Sequence, residues 1–86
     1  GAAEELVLAD GEQRVDAPFS SSVWRIDVTE GQSVQAGQPL LALEAMKMET
    51  VLRAPVDGLV CKVLVSAGHT VDGGDPLVVV RPGGER

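Results

Sequence analysis

A gapless internal repeat constrains this chain more than any other feature. Displacing the sequence by 37 positions lays residues 17–43 on residues 54–80, with nine identities: Ala17/Ala54, Pro18/Pro55, Val23/Val60, Val28/Val65, Gly31/Gly68, Val34/Val71, Gly37/Gly74, Pro39/Pro76 and Leu40/Leu77. Close pairs such as Arg25/Lys62, Ile26/Val63, Thr29/Ser66 and Ser33/Thr70 lie between them. A repeat matched this way means equivalent structural units. Two copies do not make a solenoid, so the expectation is two interlocked halves related by a pseudo-twofold. Each Ala-Pro opens an extended segment, because the residue before proline is pushed out of the helical region. Alternation in Trp24-Arg25-Ile26-Asp27-Val28, and in Cys61-Lys62-Val63-Leu64-Val65, predicts a strand with Trp24, Ile26 and Val28 on one face. Turns are expected at Gly31, Gly37, Gly68 and Gly74. Strands beginning at Pro39 and Pro76 close the units, since proline is tolerated first in a strand.

Composition points the same way. Hydrophobic residues are 44% of the 86 but aromatics only 2%, and 14 valines stand against one isoleucine. Valine is stiff at its first side-chain torsion and favours strands. Ten glycines and five prolines leave little room for an ordinary helix. The expected class is all-β. A formal charge of -6 with no Lys/Arg cluster disfavours nucleic acid and anionic membranes. No stretch approaches a membrane span, and no signal-peptide pattern opens the sequence. Cys61, a lone cysteine, excludes an internal disulfide and cannot hold a metal by itself. Asp10-Gly11 between Glu5-Leu6-Val7-Leu8-Ala9 and Glu12-Gln13-Arg14-Val15-Asp16 is a hairpin signal. The resulting division is an N-terminal segment at 1–16, a domain at 17–80 and a flexible tail at 81–86.

Residues 44–53 join the two units. The strand ending near Leu43 enters this linker and Thr50–Arg53 leaves it, so the chain must reverse between them. Lys47 falls at the reversal, midway between Leu43 and Val51. Met46 and Met48, the only methionines, flank it, and Glu44 and Glu49 lie just outside. Most turn lysines only aid solubility. Exposed methionines, however, bring no packing benefit in a tight turn, and a thioether pair suits an adaptable contact surface.

Glu44-Ala45-Met46-Lys47-Met48-Glu49 resembles the biotinylation motif of biotin carboxyl carrier domains, in which the central lysine carries biotin covalently. The run from Val23 to Leu40 resembles the segment before that motif, and Ala54-Pro55-Val56-Asp57-Gly58 the Ala-Pro-x-x-Gly turn after it. The first copy departs from the family, running Ala17-Pro18-Phe19-Ser20-Ser21 without the glycine. The resemblance implies a flattened β-barrel or sandwich of two four-stranded antiparallel sheets with pseudo-twofold symmetry, a barrel-sandwich hybrid. The gapless repeat leaves no room for the protruding thumb of some carriers. The resemblance also implies biotin on Lys47, and a biotin protein ligase that recognises Glu44, Ala45, Met46 and Met48. It further implies a non-catalytic carrier moving carboxyl groups between the biotin carboxylase and carboxyltransferase domains of one enzyme. The short C-terminal end suits a carboxyl-terminal carrier, and Ser22-Val23-Trp24 leans to a urea carboxylase-type parent. The expected location is the cytoplasm, or the mitochondrial matrix or other compartment of that parent. Two rivals stand beside this reading. A lipoyl-type carrier shares the fold, but Met46 and Met48 argue against it; the other is an unmodified interaction module. Trp24 is expected half-buried, Cys61 a small apolar filler and His69 a solvated turn residue.

Overall fold

A computed structural model of the chain describes residues 6–83. It contains eight strands: β1 (Gln13–Asp16), β2 (Ser21–Ile26), β3 (Ser33–Val34), β4 (Pro39–Ala45), β5 (Met48–Arg53), β6 (Gly58–Val63), β7 (Thr70–Val71) and β8 (Pro76–Pro82). They form two four-stranded sheets in the orders β1-β8-β6-β3 and β5-β4-β2-β7, with every pairing antiparallel. The all-β sandwich and its pseudo-twofold are thus as expected, and no insertion interrupts the first half.

The symmetry reaches further than the sequence repeat. Displacement by 37 residues carries β2 onto β6, β3 onto β7 and β4 onto β8. It also carries β1 onto the last four residues of β5, where no residue is identical. Registers follow: Arg14 faces Val79 as Val51 faces Ala42. The folded unit therefore includes β1, and β8 takes in Arg81 and Pro82 of the expected tail; residues 84–86 lie outside the described residues.

Leu40, Leu41, Leu43, Leu77, Val23, Val60, Val78 and Val80 are fully buried between the sheets. Burying each such side chain contributes about 1.5–3 kcal/mol. The halves are also sewn together through backbone. Gly31 N–H donates to Val60 O and Val60 N–H to Gln32 O; their twins are Gly68 to Val23 and Val23 to His69, all at 2.8–2.9 Å. Ala54 N–H bonds Gln38 O and Ala17 N–H bonds Asp75 O, both at 2.9 Å. Each turn of one half thereby completes a strand of the other.

Two further expectations need correcting. Trp24 is 54% exposed, not half-buried on the Ile26–Val28 face. β2 bulges between Val23 and Arg25, as β6 does between Val60 and Lys62. A bulge inserts one residue and breaks the alternation; Val23 and Ile26 both reach the core and Trp24 is left outside. The second concerns the first hairpin. Its turn forms, with Glu12 N–H on Ala9 O at 3.1 Å, but residues 6–9 are not a strand. The Glu12 carboxylate accepts the Ala9 N–H at 2.8 Å, a donor that a hairpin ladder would need. Glu5 lies outside the described residues.

Gly58 illustrates how closely the strands approach. A Cβ there would strike the Arg81 carbonyl oxygen of the neighbouring strand. Its twin Ser21 is buried, and its hydroxyl donates to Phe19 O at 3.1 Å. Gly58→Ala is expected to cost about 1–3 kcal/mol by overpacking, whereas Ser21→Ala loses one hydrogen bond worth about 1 kcal/mol; urea unfolding of both variants checks the order.

Candidate functional site

Five turns of this chain share one construction. In those at 9–12, 29–32, 35–38, 66–69 and 72–75, the fourth residue's N–H bonds the first residue's carbonyl, and its side chain accepts the first residue's N–H. The acceptors are Glu12, Gln32, Gln38, His69 Nδ1 and Asp75. The third residue is glycine in every case, at φ between 82° and 94°. Glycine takes that left-handed conformation without a Cβ penalty. His69 is thereby accounted for as a turn acceptor.

The β4–β5 turn breaks this pattern. Ala45 pairs with Met48, so Met46 and Lys47 alone make the loop, with φ of 52° and 66°. Positive φ at both central residues is the primed turn that matches the twist of a hairpin, and Asn-Gly is its usual sequence. Met and Lys there cost on the order of 1 kcal/mol each in backbone strain. Among the described residues these are the only non-glycine residues with positive φ. A chain that uses glycine in its other tight turns thus holds two long side chains at this one.

The two faces of the hairpin differ. On the inner face the cross-strand pairs Leu41/Leu52, Leu43/Thr50 and Ala45/Met48 run outward from the core. The last of these overhangs the end of the sandwich, leaving Met48 70% exposed and Met46 94% exposed. On the outer face Glu44 lies directly opposite Glu49, an arrangement of like charges that disfavours the pairing. Arg25 offsets it from β2, with its guanidinium 3.6 Å from Glu49 and 2.9 Å from Asp27. Those carboxylates raise the Arg25 pKa, Asp27 most. The guanidinium also lies over the Trp24 ring at 5.2 Å. With Glu49 engaged by Arg25, no ion pair of the described residues takes up Lys47.

The residues singled out from the sequence, Glu44, Ala45, Met46, Lys47 and Met48, accordingly meet on one hairpin tip. Arg25, Trp24, Phe19 and Thr50 border it and were not assigned to the site. Phe19 and Ser20 join Ala45, Met46, Met48 and Thr50 around a groove of about 360 Å³. No local sequence signal links residues 19–20 with 45–50; the pairing of β2 with β4 brings them together. Cys61 sits apart on β6, half-buried, where burial chiefly pushes its thiol pKa up.

Comparison with known proteins gives a consistent result. The family model described as "Biotin-requiring enzyme" matches residues 14–80. Pyruvate carboxylase of Staphylococcus aureus is 47% identical over 49 residues, 57% of this chain and 4% of that protein. The solved structure of a single-chain, multi-domain long-chain acyl-CoA carboxylase superposes with a TM-score of 0.83 and 39% identity, over 91% of this chain and 8% of that one. The Kluyveromyces lactis urea carboxylase superposes at 0.80 with 29% identity, over 87% and 7%. The chain spans less than a tenth of the length of each.

If function rather than stability selects the tip residues, relieving the strain should stabilise the fold. Met46→Gly is expected to raise unfolding free energy by up to about 0.5 kcal/mol, the relieved strain less the added entropy of glycine. Urea denaturation of the unmodified chain measures it.

Proposed function

The chain belongs to the biotin-requiring enzyme family, and from that premise we propose that Lys47 is the residue that carries its biotin. One observation supports this above others: the chain holds Lys47 at a glycine-free, strained hairpin tip between two exposed methionines. The only other lysine, Lys62, lies within β6, beside the bulge.

Attachment requires the Lys47 amine, in its neutral form, to attack the activated carboxyl group of biotin. An amide forms, and the activating group and one proton leave. A biotin protein ligase does this by gripping the tip, where Met46 and Met48 offer soft, adaptable contacts and Glu44 and Ala45 complete the recognised strand end. Bound biotin supplies a ureido nitrogen that takes up a carboxyl group and gives it up again. The protein's own residues contribute position. β4 and β5 hold Lys47 outside the sandwich, and the two buried sheets keep that point fixed relative to the rest of the domain. A tethered group visits two sites without being released, so its concentration at each is set by the tether.

The parent enzyme in this reading is a biotin-dependent carboxylase, and the partners are its biotin carboxylase and carboxyltransferase domains. For the carboxyl acceptor, Ser22-Val23-Trp24 supports a urea carboxylase-type parent. Identity runs the other way, at 47% to the pyruvate carboxylase and 39% to the acyl-CoA carboxylase against 29% to the urea carboxylase.

Co-expression with a biotin ligase tests the assignment. Intact mass should show one biotinyl group on the wild-type chain and on Lys62→Arg, and none on Lys47→Arg, whose circular dichroism should be unchanged. Biotin retained by Lys47→Arg would reject Lys47, and a lipoyl mass in place of a biotinyl mass would reject the cofactor.

A further inference from the structure

We propose that the groove between the β4–β5 hairpin and the β1–β2 connection is a resting site for the biotin ring carried by Lys47. This rests on Lys47 being the attachment point. The groove is lined by Phe19, Ser20, Ala45, Met46, Met48 and Thr50 and has a volume of about 360 Å³. That is near the small end of the roughly 300–1,000 Å³ range of ligand pockets.

A departure from symmetry singles this groove out. The twins of Phe19 and Ser20 are Val56 and Asp57, and both serve the fold. Val56 packs against the core, and the Asp57 carboxylate accepts the Ala36 N–H at 2.7 Å. At the Lys47 end the same loop turns its side chains outward. Phe19 is 40% exposed and Ser20 is exposed. The loop backbone sits tightly against Gly73, where a Cβ would lie 3.3 Å from the Phe19 Cα. The two halves match in strand order, register and bulges, yet differ in this loop at the end that bears the lysine. Phe19 is moreover one of only two aromatic residues in the chain.

The chemistry of the lining suits the ring. Biotin's thioether-containing bicycle is uncharged and largely apolar, and thioether and aromatic side chains receive such a surface well. Ser20 and Thr50 supply hydroxyls that can donate to or accept from the ureido group. Reach is not limiting. Thr50 lies three residues along the strand from Lys47, about 10 Å, and the lysine and valeryl chains together form a long aliphatic arm. Met46 and Met48 flank its root. Glu44 and Glu49 are on the opposite face of the hairpin, so no carboxylate of the motif lines the groove. Docking must be weak, because an arm bound there most of the time would deliver nothing.

The experiment uses the chain biotinylated by a biotin ligase, with intact mass confirming one biotinyl group; a chain left unmodified rejects the Lys47 assignment, a different result from those that follow. Amide spectra of the unmodified and biotinylated chains are then compared. The proposal predicts shifts at Phe19, Ser20 and Thr50 in addition to residues 46–48, and ring-to-ring proton contacts between biotin and Phe19. Shifts confined to residues 46–48 overturn it. Avidin capture gives a second readout, since docking reduces the fraction of exposed ring. Biotinylated Phe19→Ser should be captured faster than wild type, by up to about twofold, and biotinylated Trp24→Ser at the wild-type rate. Equal rates for wild type and Phe19→Ser, or an equal acceleration by Trp24→Ser, overturn it as well.

Discussion

The reciprocal hydrogen bonds between the turns of one half and the strands of the other are what the rest of this structure depends on. Glycine turns at Gly31 and Gly68 donate to Val60 and Val23, and the residues after them accept from the same two valines. Neither half can complete its sheet without the other. With few aromatics, a chain of 86 residues buries mainly valine and leucine, and a core of that size is modest. Cross-bonding of the backbones satisfies polar groups that burial would otherwise penalise. It also fixes the relative placement of the two sheets, and with it the direction in which β4 and β5 leave the sandwich.

The hairpin tip draws on that stability. Two residues without glycine's freedom sit at positive φ, two carboxylates face each other across the strands, and two methionines are in water. Each is locally unfavourable. They persist because Leu41, Leu43 and Leu52 anchor the base of the hairpin in the core, and because Arg25 bridges toward Glu49. Local rules broken together at one place, on a chain that otherwise keeps them, mark a site selected for what it presents. The two faces then divide the work: an acidic outer face with Trp24 and Arg25, and an apolar inner face opening on Phe19.

Much of this was legible in the sequence. The repeat alone gave the pseudo-twofold and the succession of strands and turns within each half, and the Met-Lys-Met run at its centre gave the tip. The equivalence of β1 and β5 was not legible, because in each of these edge strands only one of the paired residues, Val15 or Leu52, packs on the core, too little to keep identity. Alternation misplaced Trp24, since a bulge shifts the period by one and leaves no mark in hydrophobicity. The Ala9–Glu12 turn was found, but its side-chain lock replaced the ladder that would have extended it. The groove was out of reach because its walls are about 25–30 residues apart in sequence and meet only through strand pairing.

The central claim is that position in the turn, not exposure alone, makes Lys47 the attachment point. Site-localised mass spectrometry of the double variant Met46→Lys/Lys47→Met, co-expressed with a biotin ligase, tests it most directly. The exchange keeps composition, charge and turn length and moves the amine by one residue. The expected result is a folded chain with no biotin on Lys62 or at residue 46. A biotinyl group at residue 46, at a level matching the wild-type chain, would contradict it.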